Sequence, residues 1–159
     1  MHSIESIVEQ FGPTLWRLAG SFELDAALRE DLVQDMLVAI WRALPRLDDP
    51  TRLKPYVLRI ARNRAVSHVA RQTRRLDKTA IDREPDDPGT GPYEHAEQSD
   101  RQRRLIAAVR SLPLNQREVI TLFLEGLSHA EIAEILELTE NNVAVRINRA
   151  RTRLTQRLS

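Results

Sequence analysis

Apolar residues at Ile4, Ile7, Val8, Phe11, Leu15 and Leu18 recur three and four apart, so residues 4–18 are predicted to form an amphipathic helix, bent or split at Pro13. A second helix is predicted over residues 28–44. Stepping 100° per residue gathers Leu32, Val33, Met36, Ala39, Ile40 and Ala43 on one arc and leaves Asp31, Gln34, Asp35, Val38 and Arg42 on the opposite stripe. A valine inside an exposed acidic stripe marks a candidate partner surface. Pro45 and the Asp48-Asp49-Pro50 cluster end this helix. Thr51 then offers an N-cap, and Pro55 is tolerated in the first turn of a third helix reaching about residue 75. Three such helices make one small domain.

Between residues 77 and 100 the periodicity disappears, and Pro85, Pro88, Gly89, Gly91 and Pro92 sit among acids in a composition suited to a flexible linker. Leu105, Ile106, Val109 and Leu112 then start a second helical domain. Pro113 opens a helix carrying Val119, Ile120, Leu122 and Phe123, which stops at Gly126. Ser128-His129-Ala130-Glu131 fits a capping box, in which serine and glutamate each satisfy a backbone group at a helix start. The short helix that follows has Ile132, Ala133 and Leu136 on its inner face. After the Glu137-Leu138-Thr139 turn a longer helix begins at Glu140, with Val143, Ile147, Ala150, Leu154 and Leu158 forming a seam about 80° wide. Opposite that seam lie Asn141, Val145, Asn148, Arg149, Thr152 and Gln156. A capped short helix, a tight turn and a longer basic helix form a helix-turn-helix, and such an outer face suits base edges and phosphates. A helical hairpin that packs against a protein is the alternative.

Composition supports an all-α chain: 42% of the 159 residues are hydrophobic, mostly aliphatic, and only 4% are aromatic. The absence of cysteine excludes disulfides and thiol chemistry, and His2, His68, His95 and His129 are too far apart for local metal-ligand spacing. Paired catalytic carboxylates, a nucleophile with a base, and a phosphate-cradling glycine loop are all missing, so no enzyme activity and no cofactor is expected. With no apolar run of spanning length and no basic signal-peptide start, a cytoplasmic location without membrane insertion is expected. Trp16 and Trp41 are placed among core or core-edge aromatics, and His68 and His129 at surfaces.

The net charge of +1 conceals alternating blocks. Residues 1–51 carry −5, whereas residues 52–78 carry nine bases against Asp77, a net of +8. Residues 79–100 carry −6, residues 101–139 balance, and residues 140–159 carry +4. Two basic segments on a near-neutral chain point to two contacts with one polyanion.

Three stretches resemble the extracytoplasmic-function (ECF) sigma factors of bacterial RNA polymerase. Asp31 to Asp35 with Ala39 to Leu44 is similar to the region that grips the β′ clamp of core RNA polymerase. Tyr56-Val57-Leu58-Arg59-Ile60-Ala61-Arg62-Asn63 is similar to the segment that opens and holds the minus-ten element. Ser111-Leu112-Pro113, Gly126-Leu127-Ser128 and the stretch from Val143 to Leu154 resemble the region that reads the minus-thirty-five element and touches the β flap. The resemblance implies a sigma domain 2 over residues 1–76, an acidic linker over 77–100 and a sigma domain 4 over 101–159. It makes Asp31, Gln34, Asp35 and Val38 the polymerase contact. Tyr56, Arg59, Arg62, Asn63, Arg71, Arg74 and Arg75 become the minus-ten contact, with Asn63 where the base-specific loop begins. Asn141, Asn142, Val145, Asn148 and Arg149 become the minus-thirty-five contact. Apart from the resemblance, Arg153 and Arg157 are read as neutralising phosphate or the helix C-terminus without specifying sequence, since cations near that end complement the helix dipole.

Two departures from the family pattern matter. Tyr56 stands where many relatives carry tryptophan, and Ala144 and Val145 replace basic or hydroxyl residues of the recognition helix. The resemblance also implies that an anti-sigma factor is a possible partner and that regulation comes from another protein or from expression level. A sigma-like decoy for an anti-sigma protein and a free-standing helix-turn-helix regulator are the alternative functions.

Overall fold

Helix caps and apolar stripes lay down seven α-helices among the described residues, with no strand between them. The computed structural model describes residues 3–78 and 99–159. The first helix, α1 (Ile4–Phe22), starts where the Ser3 side chain accepts a hydrogen bond from the Ser6 amide at 3.1 Å. Pro13 does not split it. Proline removes one helical hydrogen bond, but Ile7, Phe11, Leu15 and Leu18 on either side are all buried and hold the helix to the core. The second helix, α2 (Ala26–Ala43), begins before the apolar pattern does, because the Asp25 carboxylate caps the amides of Ala27 and Leu28.

Thr51 is not the cap of the third helix. Its amide and hydroxyl both donate to Asp49, which caps a short 3₁₀ turn at Pro50–Arg52. The third helix, α3 (Leu53–Lys78), follows that turn directly, with Pro55 in its first turn as expected. Ile7, Leu15, Leu18, Leu32, Met36, Ile40, Val57 and Ala61 form the shared core of these three helices.

Two buried polar groups stitch this core at the α1–α2 corner. Arg29 is 2% exposed, and its guanidinium donates to the carbonyls of Glu23 and Leu24, which follow the end of α1, while lying over the Trp16 ring at 5.6 Å. His68 is 5% exposed, contrary to its expected surface position. Its Nε2 lies 2.7 Å from Glu23 Oε1, and this partner is what makes burial of the imidazole tolerable.

The second group comprises α4 (Asp100–Arg110), α5 (Leu114–Leu124), α6 (His129–Leu136) and α7 (Glu140–Leu158). Both halves of the predicted capping box form at Ser128 and Glu131. Gly126 and Glu137 close α5 and α6 with positive φ, and the amides of Leu127 and Leu138 reach back five residues to Leu122 and Ala133. Glu137 thus takes a left-handed conformation that usually falls to glycine. The α7 seam is buried from Val143 to Leu154, but Leu158, at the helix end, is 37% exposed. The linker expected over 77–100 lies largely outside the described residues; α3 runs to Lys78 and α4 starts at Asp100.

Leu58 joins the two groups, since it is fully buried on α3 yet packs into the core of α5, α6 and α7. Leu114 reciprocates against the first core.

Candidate nucleic-acid and partner interfaces

On α2, Asp31, Gln34 and Val38 are exposed on the predicted stripe, Val38 to 46%. Asp35 is different. Its carboxylate accepts two hydrogen bonds from Arg64 of α3, at 2.7 and 2.8 Å, so this member of the acidic stripe is half-buried and already paired. That partner holds the Arg64 guanidinium above its ordinary range, chiefly through the side-chain hydrogen bond. Trp41 is also different, being 54% exposed and not at the core edge. It follows Gln34 by seven residues, two helical turns, so periodicity alone puts it on the same side. Its aromatic character masked that signal.

On α3, Arg59, Asn63, Arg71, Arg74 and Arg75 are exposed. Helical stepping sets Asn63, Arg71 and Arg74 within about 80° of one another and Arg59 about 40° beyond Asn63, whereas Arg62 points about 100° away from Asn63. Arg62 accordingly faces the second helical group, where its Nε donates to Glu118 Oε1 at 2.9 Å and its Nη2 bonds the same oxygen. Its Nη1 donates to Asn63 Oδ1 at 2.8 Å. Tyr56 is half-buried, and its hydroxyl donates to the Ala43 carbonyl at 2.7 Å, tying the start of α3 to the end of α2. Beside it, Arg59 lines a cleft bounded by Asp49 and Arg52 on one side and by Glu131 and Glu134 of α6 on the other.

A common polarity runs through the contacts between the two groups, with cations on the first and carboxylates on the second. Arg17 forks onto both oxygens of Glu125 at 2.8 and 3.0 Å, Arg52 meets Glu134 at 2.7 Å, and Arg62 meets Glu118. The Arg117 guanidinium, lowered from its ordinary range by burial, runs against this polarity and lies over the Phe22 ring at 5.5 Å. α1 and α4 approach closely at Gly20, where a Cβ would come within 3.2 Å of Ile106. The acidic edge of α5 and α6 therefore covers part of the basic surface of α1 and α3. Among the candidate minus-ten residues Arg62 is covered, while Asn63, Arg71 and Arg74 face solvent.

On α7, Asn141, Asn142, Val145, Asn148 and Arg149 are all exposed opposite the buried seam, and Ala144 is half-buried. Thr139 caps the helix by accepting from the Asn142 amide at 3.1 Å. The hydroxyls of Thr152 and Thr155 donate to the backbone carbonyls of Asn148 and Arg151. Amide and guanidinium groups are thus left as the polar donors of the outer face. Among the described residues no helix is long and apolar enough to cross a membrane.

Comparison with known proteins agrees with this geometry. The family model for Sigma-70 region 2 matches residues 7–75, and that for Sigma-70 region 4 matches residues 102–154. A probable RNA polymerase sigma factor, RfaY of Xanthomonas campestris, is 29% identical over 150 residues, which are 91% of this chain but 38% of that longer protein. The ECF RNA polymerase sigma-E factor of Haemophilus influenzae is 30% identical over 138 residues, covering 80% of this chain and 73% of the relative. Among solved structures, the sigma factor RpoE of Bartonella quintana, crystallised with the anti-sigma factor NepR, is 26% identical, with a TM-score of 0.78 over 97% of this chain and 95% of that one. With both sigma regions present in order on an all-helical chain, the protein belongs to the ECF RNA polymerase sigma factors.

Proposed function

We propose that this chain binds core RNA polymerase through the α2 stripe of Asp31, Gln34, Val38 and Trp41, and directs it to a two-part promoter. Asp35 contributes to that stripe from within its pair with Arg64. On α3, Asn63 takes an unpaired base of the minus-ten element, Arg59, Arg71, Arg74 and Arg75 neutralise its phosphates, and Tyr56 braces the helix against α2. Stacking and electrostatic capture of unpaired bases supply the binding energy that opens the duplex. On α7, Asn141, Asn142, Asn148 and Arg149 read the minus-thirty-five element, with Val145 as an apolar contact to a thymine methyl. The observation that carries this assignment is the exposure of the polar α7 face opposite a buried seam, combined with an exposed Asn63-Arg71-Arg74 stripe on α3.

An anti-sigma protein is a further partner. The similar Bartonella sigma factor was solved with one bound. The Arg62–Glu118 contact supports a reading in which this domain packing opposes promoter binding, since Arg62 cannot serve Glu118 and a DNA phosphate together. Runoff transcription with core polymerase, on templates retrieved by mapping transcripts after controlled expression, tests the function. Promoter-dependent transcripts are expected. Their absence, with retained binding to an anti-sigma protein, would make the chain a decoy, and an operator footprint without polymerase would make it a free-standing regulator.

A further inference from the structure

Asn63, exposed on α3, has one end of its amide engaged and the other open. Its Oδ1 accepts from Arg62 Nη1 at 2.8 Å, while its Nδ2 has no partner among the described residues. A guanidinium carries donors and no acceptor, so Arg62 can meet this amide only at its oxygen. The amide is thereby fixed one way round, with Oδ1 towards Arg62 and Nδ2 away from it. Arg62 is itself held, since its Nε and Nη2 both donate to Oε1 of Glu118 and its side chain is 23% exposed.

The guanidinium uses separate groups for these two partners. Its Nε–Nη2 edge, which takes Glu118, presents paired N–H groups that suit a phosphate equally well, so DNA can replace the carboxylate there. Nη1 lies outside that exchange. It keeps Asn63 turned the same way whether Arg62 is bound to Glu118 or to a phosphate.

An asparagine free to turn offers one donor and one acceptor side by side, the pattern that matches N6 and N7 of adenine. Asn63 is not free in this sense. Its Oδ1 retains a second lone pair, but a base amino group reaching for it would lie against the Arg62 guanidinium, donor against donor and beside a positive charge. The two Nδ2 protons are what remains for a base. Two donors are matched by two neighbouring acceptors, which cytosine carries at O2 and N3 and guanine at O6 and N7. Neither adenine nor thymine has such a pair.

We propose that Arg62 is a specificity-determining residue, which by holding the Asn63 amide in one orientation makes it select an unpaired base with two neighbouring acceptors. The inference rests on the assignment of Asn63 as a reader of the minus-ten element, and it names the chemistry that this reader recognises.

Holoenzyme reconstituted with core RNA polymerase, titrated with single-stranded minus-ten oligonucleotides carrying each of the four bases at each position in turn, provides the test. For wild type, one position is expected to favour cytosine or guanine over adenine about fivefold or more. Replacing the favoured base by 3-deazacytosine or 7-deazaguanine, each lacking one ring-nitrogen acceptor, should remove the preference and tells the two edges apart. Arg62→Met keeps a long side chain but removes every donor. Its preference at that position should fall to a ratio of about one, with ratios at the other positions unchanged whatever happens to overall affinity. Glu118→Gln should retain the wild-type ratio, because Nη1 does not depend on Glu118. A ratio in Arg62→Met equal to wild type, or a wild-type preference for adenine or thymine at the position that Asn63→Ala flattens, refutes the inference and leaves Asn63 a base reader. If Asn63→Ala keeps every wild-type preference, Asn63 reads no base and the underlying assignment falls as well. Thermal melting accompanies the variants, and the wild-type base and deaza series decides the question even if Arg62→Met fails to fold.

Discussion

Arg62 of α3 donates from Nε to Oε1 of Glu118 of α5 at 2.9 Å, across the boundary between the two helical domains. The pair is largely sheltered, with side chains 23% and 11% exposed. Its cation belongs to the segment proposed to face the promoter and its anion to the other domain, so on that assignment the contact neutralises charge that DNA would otherwise meet. The proposed promoter binding by α3 would have to displace this carboxylate or proceed around it.

Glu118→Gln keeps the shape of α5 while removing the charge that holds Arg62. The free chain is then expected to bind single-stranded minus-ten DNA about fivefold more tightly, equivalent to roughly 1 kcal/mol for one ion pair exchanged. Fluorescence anisotropy measures this directly. An unchanged affinity would show that the Arg62–Glu118 pair does not oppose DNA.

Trp41→Ala is expected to lower affinity for core polymerase about tenfold, since large aromatics dominate interface energetics. Trp41 is half exposed, so the melting temperature should hold. Asp35→Arg also weakens polymerase binding, but it sets two guanidiniums against each other at Arg64 and therefore destabilises α2–α3 packing as well. Comparing affinity with melting for the two variants separates the effects, and a Trp41→Ala protein with full polymerase affinity would remove Trp41 from the contact.

Burial pushes the Glu23 carboxyl upward, but hydrogen bonds from His68 and the Asp25 amide outweigh it and hold the group below its usual value of 4.5. A lowered carboxyl favours the folded state when ionised. Its contribution is therefore present above pH 4.5 and is lost as pH falls through the folded value. Glu23→Gln should be less stable than wild type at pH 7, and the gap in melting temperature should narrow below about pH 4.5. A gap independent of pH would mean that the Glu23 charge contributes nothing.

Asn63→Ala removes the polar group best placed to recognise a base, leaving the surrounding arginines in place. Transcription should fall on some minus-ten sequences and persist on others, with polymerase affinity unchanged. Uniform loss across promoter variants would argue for a structural role through its hydrogen bond with Arg62.

Most of the architecture was legible in the local pattern. Hydrophobic spacing of three and four, the Ser128–Glu131 capping box, Gly126 at the end of α5 and the α7 seam all depend on neighbours within a turn or two, which sequence displays directly. Where local signals compete, they mislead. Thr51 and Asp49 are both cap residues two positions apart, and the bond between them settles the helix start at Leu53. Trp41 and His68 exchanged their expected environments because aromaticity and polarity are averages, whereas Trp41 lies on the outer side of α2 and His68 meets Glu23 forty-five residues away.

The sequence by itself determined a helical chain, the order of its elements, the amphipathic faces of α1, α2 and α7, and membership of a sigma-factor family through contiguous motifs. Only the tertiary structure decided which charges stay free. Asp35 and Arg64, Arg62 and Glu118, and Arg17 and Glu125 are paired by helix packing at separations of 29, 56 and 108 residues, and Gln116 is left unsatisfied beside α7. Electrostatic pairing falls off over a few ångströms. It therefore depends on distances that the chain sets only when its cores close.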